Sequence, residues 1–188
     1  MTKGRLIARG VAAAACLCAT TTTAASVGAH ADASSGPTIR YRSAAFPYSI
    51  AYPGGWMRRV VTSDGQKVEQ FGLGPWGHDE VNVSVTLVAS AGASAADDTA
   101  LRQDLEAQRR KTYGNMSEVG SVQVAGHTIV MYAWNHKDNG APLADTEVVF
   151  ADHGHLWVVV MVSDQGARQR YWLPTYTAML RSIRLRAA

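Results

Sequence analysis

The sequence predicts an α+β fold, a single domain in which an antiparallel sheet of about six to eight strands is flanked by helices. Three observations predict it. Leu156-Trp157-Val158-Val159-Val160-Met161-Val162 is apolar on both alternating faces, so a strand built from it is central and needs cover on each side. Short β-branched or alternating runs, set off by Gly, Pro, Asn and Asp, recur through most of the chain. Two longer stretches of helical composition lie where they can supply the cover. Each large apolar side chain of the central strand is worth about 1.5–3 kcal/mol when fully buried, so neither cover is dispensable.

Met1 to Ala31 reads as an export signal. Lys3, Arg5 and Arg9 make a basic start, Val11 to Ala19 is a short apolar run, and Ala29-His30-Ala31 has the small-x-small pattern that places cleavage after Ala31. The run is far short of the roughly 20 residues that span a bilayer, and no later stretch reaches that length. The formal charge of +3 comes from 18 basic and 15 acidic residues, and the three bases of the signal account for it. A neutral mature chain gives no ground for nucleic acid or an anionic membrane as partner. Arg58-Arg59 and Arg109-Arg110-Lys111 read as solvated faces. Both cysteines, Cys16 and Cys18, belong to the signal, so the mature chain has no disulfide, thiolate metal site or cysteine nucleophile. One alternative keeps Cys16: Ala13-Ala14-Ala15-Cys16 is a permissive lipoprotein box, which would leave a lipid on that cysteine. The short stretch between Arg9 and Cys16 favours cleavage after Ala31.

Residues 32–38 form a short tether and the folded domain spans 39–186. Arg40–Ser43 and Tyr48–Tyr52 are short strands, the second ended by Pro53-Gly54-Gly55, with Trp56 turned back onto the core. Arg59–Val61 and Val68–Phe71 form a hairpin across Ser63-Asp64-Gly65. In Glu80–Ala89, Val81, Val83, Val85 and Leu87 alternate with Asn82, Ser84 and Thr86, which predicts one buried and one polar face and a place toward an edge. Asp97–Tyr113 is charged, nearly free of β-branched residues and striped by Leu101 and Leu105, a surface helix capped by Gly114. Val122–Ala125 and Thr128–Trp134 follow as strands about Gly126-His127, and Lys137-Asp138-Asn139-Gly140 is a turn. Thr146–Phe150 and the central strand make a hairpin across Asp152-His153-Gly154-His155. Gln165–Ile183 is the second helix, kinked or restarted at Pro174.

The residues that carry chemistry are sparse. Gly72-Leu73-Gly74-Pro75-Trp76-Gly77 satisfies the letters of the dinucleotide fingerprint, but Pro75 removes an amide and a strand follows where the fingerprint needs a helix. Asp152, His153 and His155 bear metal-ligating groups, yet two imidazoles in a polar hairpin turn do not complete a site. There is no G-x-S-x-G elbow, no H-E-x-x-H and no Ser-x-x-Lys at a helix start. The sequence therefore assigns no catalytic, cofactor-binding or metal-ligating residue. Among five tryptophans, Trp76 in its Gly-rich loop is the one expected to be exposed and to anchor a partner.

Tyr48-Ser49-Ile50-Ala51-Tyr52-Pro53-Gly54-Gly55-Trp56 resembles the first strand and Tyr-Pro-x-x-Trp turn of the PsbP-like domain family. Tyr171 to Tyr176, followed by Met179-Leu180-Arg181-Ser182-Ile183, resembles that family's closing helix with its Leu-x-Ser exit. The order of strands, helix and four-strand meander extends the resemblance over the mature chain. The family includes the photosystem II extrinsic subunit and the yeast Ran-binding import factor, and the Ala- and Gly-rich exported setting is nearest to actinobacterial LpqN-like proteins. The resemblance implies an α/β/α sandwich and a role in binding another protein rather than turnover; it transfers no catalytic residue. The expectation is an exported bacterial, non-catalytic domain that binds a cell-envelope or extracellular protein. Alternatives are a carrier with an apolar cavity of several hundred Å³ between sheet and C-terminal helix, and a metal-dependent hydrolase using His153 and His155.

Overall fold

The structure, a computed structural model, describes residues 37–63, 65–73, 81–90, 95–138, 140–152, 155–164 and 167–186. Ten strands and two helices follow in the order β1 (Thr38–Arg42), β2 (Tyr48–Pro53), β3 (Met57–Ser63), β4 (Gln66–Leu73), β5 (Val81–Ser90), α1 (Ala95–Tyr113), β6 (Ser117–Val124), β7 (His127–Asp138), β8 (Ala141–Asp152), β9 (His155–Asp164), α2 (Ala167–Ser182) and β10 (Arg184–Leu185). A seven-stranded antiparallel sheet has the order β3-β4-β5-β9-β8-β7-β6. The Val-rich strand β9 occupies its middle, where apolar side chains on both faces are covered.

Three expectations needed correction. The first two strands do not join the main sheet: β1, β2 and β10 make a separate three-stranded sheet in the order β1-β2-β10. The result is a sheet-dominated α+β domain rather than an α/β/α sandwich, because on one face much of the cover is this second sheet. β5 lies inside the main sheet, between β4 and β9, and not toward an edge. Its polar residues Asn82, Ser84 and Thr86 are buried; Gln70 Nε2 donates to Ser84 Oγ at 3.2 Å, and Ser84 Oγ in turn donates to Asn82 Oδ1 at 3.4 Å. Finally, α2 runs through Pro174 as one helix and does not restart there.

The two faces of the main sheet are covered differently. On one, Phe71, Val83, Val85, Val148, Phe150, Trp157, Val159 and Met161 form the main core with Tyr48 and Ile50 of β2 and with Trp172, Tyr176, Met179 and Leu180 of α2. Tyr176 Oη donates to the Val159 carbonyl at 2.7 Å, and Ser182 Oγ accepts from the Ala51 amide at 2.7 Å, so α2 is tied to both sheets. On the other face Val149, Leu156, Val158 and Val160 form a smaller cluster. Here α1 packs on β7, β8 and β9 and ends at Gly114, whose φ of 63° is the left-handed value a helix C-cap requires. Among the described residues no helix is long and apolar enough to cross a membrane.

Candidate interaction surface and buried polar clusters

β3 ends the seven-stranded sheet and β1 ends the smaller one, and among the described residues nothing pairs with either outer edge. The two edges are joined. Arg58 Nη1 donates to Tyr41 Oη at 3.0 Å and its guanidinium lies 4.5 Å from the centre of the Tyr41 ring. Val60, Met57 and Ile39 are 47%, 41% and 42% exposed, three of the five large apolar side chains so exposed among the described residues. Register assigns Arg58 and Val60 to the face shared with Phe71 and Glu69, and Met57, Arg59 and Val61 to the opposite face. Residues 37–73 hold five basic residues, Arg40, Arg42, Arg58, Arg59 and Lys67, against two acids. One of those acids, Glu69, is fully buried, so this edge region is basic, whereas residues 32–188 as a whole carry 15 basic and 15 acidic residues.

Glu69 is the joint between the sheets. Its carboxylate accepts from the hydroxyls of Tyr41 at 2.9 Å, Ser43 at 2.9 Å and Tyr48 at 2.5 Å, with Arg58 Nη1 at 3.9 Å. Three hydroxyl donors compensate the desolvation of this buried side chain. Burial and the neighbouring carboxylate raise the pKa of both Tyr48 and Tyr41, keeping the phenols protonated as donors.

A second polar cluster lies under α1. Arg109 Nη2 donates to Glu147 Oε2 at 3.2 Å, with both side chains almost fully buried. Beside them Asp145 is fully buried and neither carboxylate oxygen finds a hydrogen-bond partner. His136 Nδ1 stands 3.7 Å from Asp145 Oδ1, beyond hydrogen-bond reach, and both its ring nitrogens are also without partners. Trp134 closes the cluster, its ring stacked on Tyr113 at 5.0 Å. Burial, reinforced by Glu147, pushes the Asp145 carboxyl up to about 8, and burial lowers the His136 pKa. Burial raises Glu147 too, opposed by the Arg109 guanidinium. Arg109 corrects the reading of Arg109-Arg110-Lys111 as a wholly solvated run.

Of the residues singled out from sequence, Trp76, His153 and the cleavage position after Ala31 lie outside the described residues. His155 closes the β8–β9 hairpin opposite Asp152 and packs its ring against Trp157 at 6.2 Å. No group of three or more metal-ligating side chains occurs among the described residues. Gly72 and Leu73 end β4 in ordinary ladder pairing with Asn82 and Val81. Where the apolar cavity was expected, between the main sheet and α2, Trp172, Tyr176, Met179 and Leu180 are buried in the main core. The open cleft found, about 440 Å³, lies beyond the helix end and is walled by Gln123, Asp152, Arg181, Arg184 and the Ala125–Gly126 turn.

These features define a class: a sheet-dominated α+β domain with a basic, partly apolar double edge. Solved structures of that fold exist. A Pseudomonas aeruginosa protein of unknown function, described as a putative regulator, matches 81% of this chain and 100% of its own at 17% identity and a TM-score of 0.50. The Ran-binding protein Mog1 of Saccharomyces cerevisiae matches over 80% of this chain and 96% of its own, at 9% identity and a TM-score of 0.52. The cyanobacterial PsbP of Synechocystis covers 86% of this chain and 98% of its own, at 17% identity and a TM-score of 0.48. The chain has a Mog1-like fold, and at these identities the likeness is one of fold alone. No protein-family model and no curated protein sequence matches the chain.

Proposed function

We propose that this chain is an exported bacterial, non-catalytic domain of the LpqN-like kind that binds another protein of the cell envelope or extracellular space. The observation that carries the binding reading is the outer edge of β3, a seven-residue strand with Met57 and Val60 exposed and no partner among the described residues. Uncovered edges invite strand addition, and natural proteins usually blunt them. The yeast neighbour, by name a Ran-binding protein, supports a protein partner for the fold in general. Export rests on Lys3, Arg5 and Arg9, the apolar run after them and Ala29-His30-Ala31. The non-catalytic reading rests on the missing nucleophile and metal motifs. Trp76 remains the proposed aromatic anchor, on its place in a Gly-rich stretch of the sequence.

The test is a photo-crosslinking residue at position 60, on the natively exported chain, with position 103 on the exposed side of α1 as control. One reproducible adduct from position 60, absent from 103, together with a mature start at Asp32, is the expected result. An unprocessed chain would remove the export reading. Adducts equal at both positions, or none from 57–63, would remove β3 as the contact.

A further inference from the structure

Arg181, in the last turn of α2, and Arg184, in β10, both line the open cleft of about 440 Å³ beyond the helix end. The Arg181 guanidinium has no hydrogen bond or ion pair among the described residues. Arg184 uses Nη1 alone, donating to the Arg181 carbonyl at 2.8 Å and the Ile183 carbonyl at 2.9 Å. Those neutral acceptors fix the side chain and leave its charge uncompensated. They also leave the edge formed by Nε and Nη2, which a carboxylate or phosphate engages with two parallel bonds. The acid of the lining, Asp152, already meets His127, whose Nε2 stands 3.8 Å from Asp152 Oδ2, and it forms no ion pair with either arginine.

The positive charge continues outside the cleft. Across the smaller sheet Arg184 pairs with Ser49 and Ser49 with Arg42, so these three share its outer face, and Arg40 lies two residues along β1 on the same side. The strands β1, β2 and β10 hold three arginines and no acid. Such a one-signed face raises the local concentration of anions beside the cleft.

We infer that this cleft binds a small dianion, a phosphate monoester or a dicarboxylate, through Arg181 and Arg184. Two guanidinium groups without a carboxylate partner match two negative charges, and their planar forks suit phosphate and carboxylate alike. The cleft volume falls within the few hundred Å³ of ordinary small-molecule sites, so the occupant is a small molecule. A cation would meet two like charges and an acid that is already engaged. Capping of α2 accounts for Arg184 Nη1 but not for Arg181, which touches no carbonyl with its side chain. The inference uses no residue of β3 and stands or falls apart from the protein-binding reading.

The probes are inorganic phosphate and succinate, titrated near neutral pH into the ¹⁵N-labelled chain, with sodium chloride at matched ionic strength as control. Saturable amide shifts are expected at 123–126, 152 and 181–186, with a Kd on the order of 1 mM that weakens as salt rises. Arg181→Gln should weaken binding about tenfold, and because that side chain makes no contact the variant keeps the fold even if Arg184→Gln does not. Arg170→Gln, exposed at the other end of α2, should leave binding unchanged. Saturation by phosphate alone assigns a phosphate monoester, by succinate alone a dicarboxylate, and either supports the inference. Shifts no larger than those with chloride, shifts centred elsewhere, or saturable binding retained in Arg181→Gln would overturn it.

Discussion

Glu69 and Asp145 are both fully buried acids, carried by strands of the same sheet on opposite faces, and they are provided for very differently. Glu69 receives three hydroxyl hydrogen bonds from the smaller sheet and its loop. Asp145 receives none, and its nearest basic group is the unpartnered ring of His136 at 3.7 Å. The difference lies in what covers each face. A sheet edge rich in Tyr and Ser brings donors to Glu69, whereas α1 brings a single buried guanidinium, and Glu147 takes it. Burial of an acid is thus not one energetic quantity. With donors it joins two layers; without them it leaves a carboxyl group that keeps its proton.

That contrast can be broken by removing what each cluster depends on. The largest effect is expected for Arg109→Met, which leaves Glu147 buried, unpaired and beside Asp145. Loss of one member of a buried pair costs about 3–5 kcal/mol, read as a shift in urea midpoint at constant slope. Tyr48→Phe is smaller: Glu69 keeps Tyr41 and Ser43, and one hydrogen bond to a charged group is worth about 1.5–3 kcal/mol. If Tyr48→Phe proves the more damaging of the two, Glu69 and not the Arg109–Glu147 pair is the weaker point of the fold, and the comparison inverts.

How much of this is legible in the sequence depends on whether a pattern is local. The central strand is legible because seven apolar residues in a row admit no exposed face, and the hairpins because Asp-Gly and Ala-Gly-His mark their turns. The separation of β1, β2 and β10 into a second sheet is not legible. Strand character is written in alternation, but the choice of neighbour is decided by distant packing, and a two-residue strand such as Arg184–Leu185 leaves no pattern. Asp145 and Glu147 are polar positions two apart on one face of β8, and only the arrival of α1 makes that face a buried one. One signal was available: Arg109 continues the four-residue spacing of Leu101 and Leu105, the apolar stripe written in the sequence. The basic edge was hidden in the opposite way, since the charge balance over residues 32–188 averages the excess in residues 37–73 against an acidic remainder.

The finest test of the contrast is Asp145→Asn. The substitution is nearly isosteric and removes the charge without removing a hydrogen bond that Asp145 accepts, since it accepts none. Near pH 4 the variant should stay within about 1 kcal/mol of the parent. The sign of the pH dependence follows from the shift. The folded carboxyl titrates at about 8 and the ordinary value is 3.8, so between these the folded chain holds a proton that the unfolded chain has released. Its contribution is fully present below about pH 3.8, declines as pH rises, and is lost above about 8. Glu147, raised as well, acts in the same sense; His136, lowered by burial, acts in the opposite one below its ordinary 6.5. The difference between variant and parent isolates Asp145 from both. Unfolding midpoints measured from pH 5 to 8 should therefore show Asp145→Asn gaining steadily on the parent. Parallel curves would mean that Asp145 is already ionised and compensated in the folded chain, and the two faces of the sheet would then differ in architecture more than in how they hold an acid.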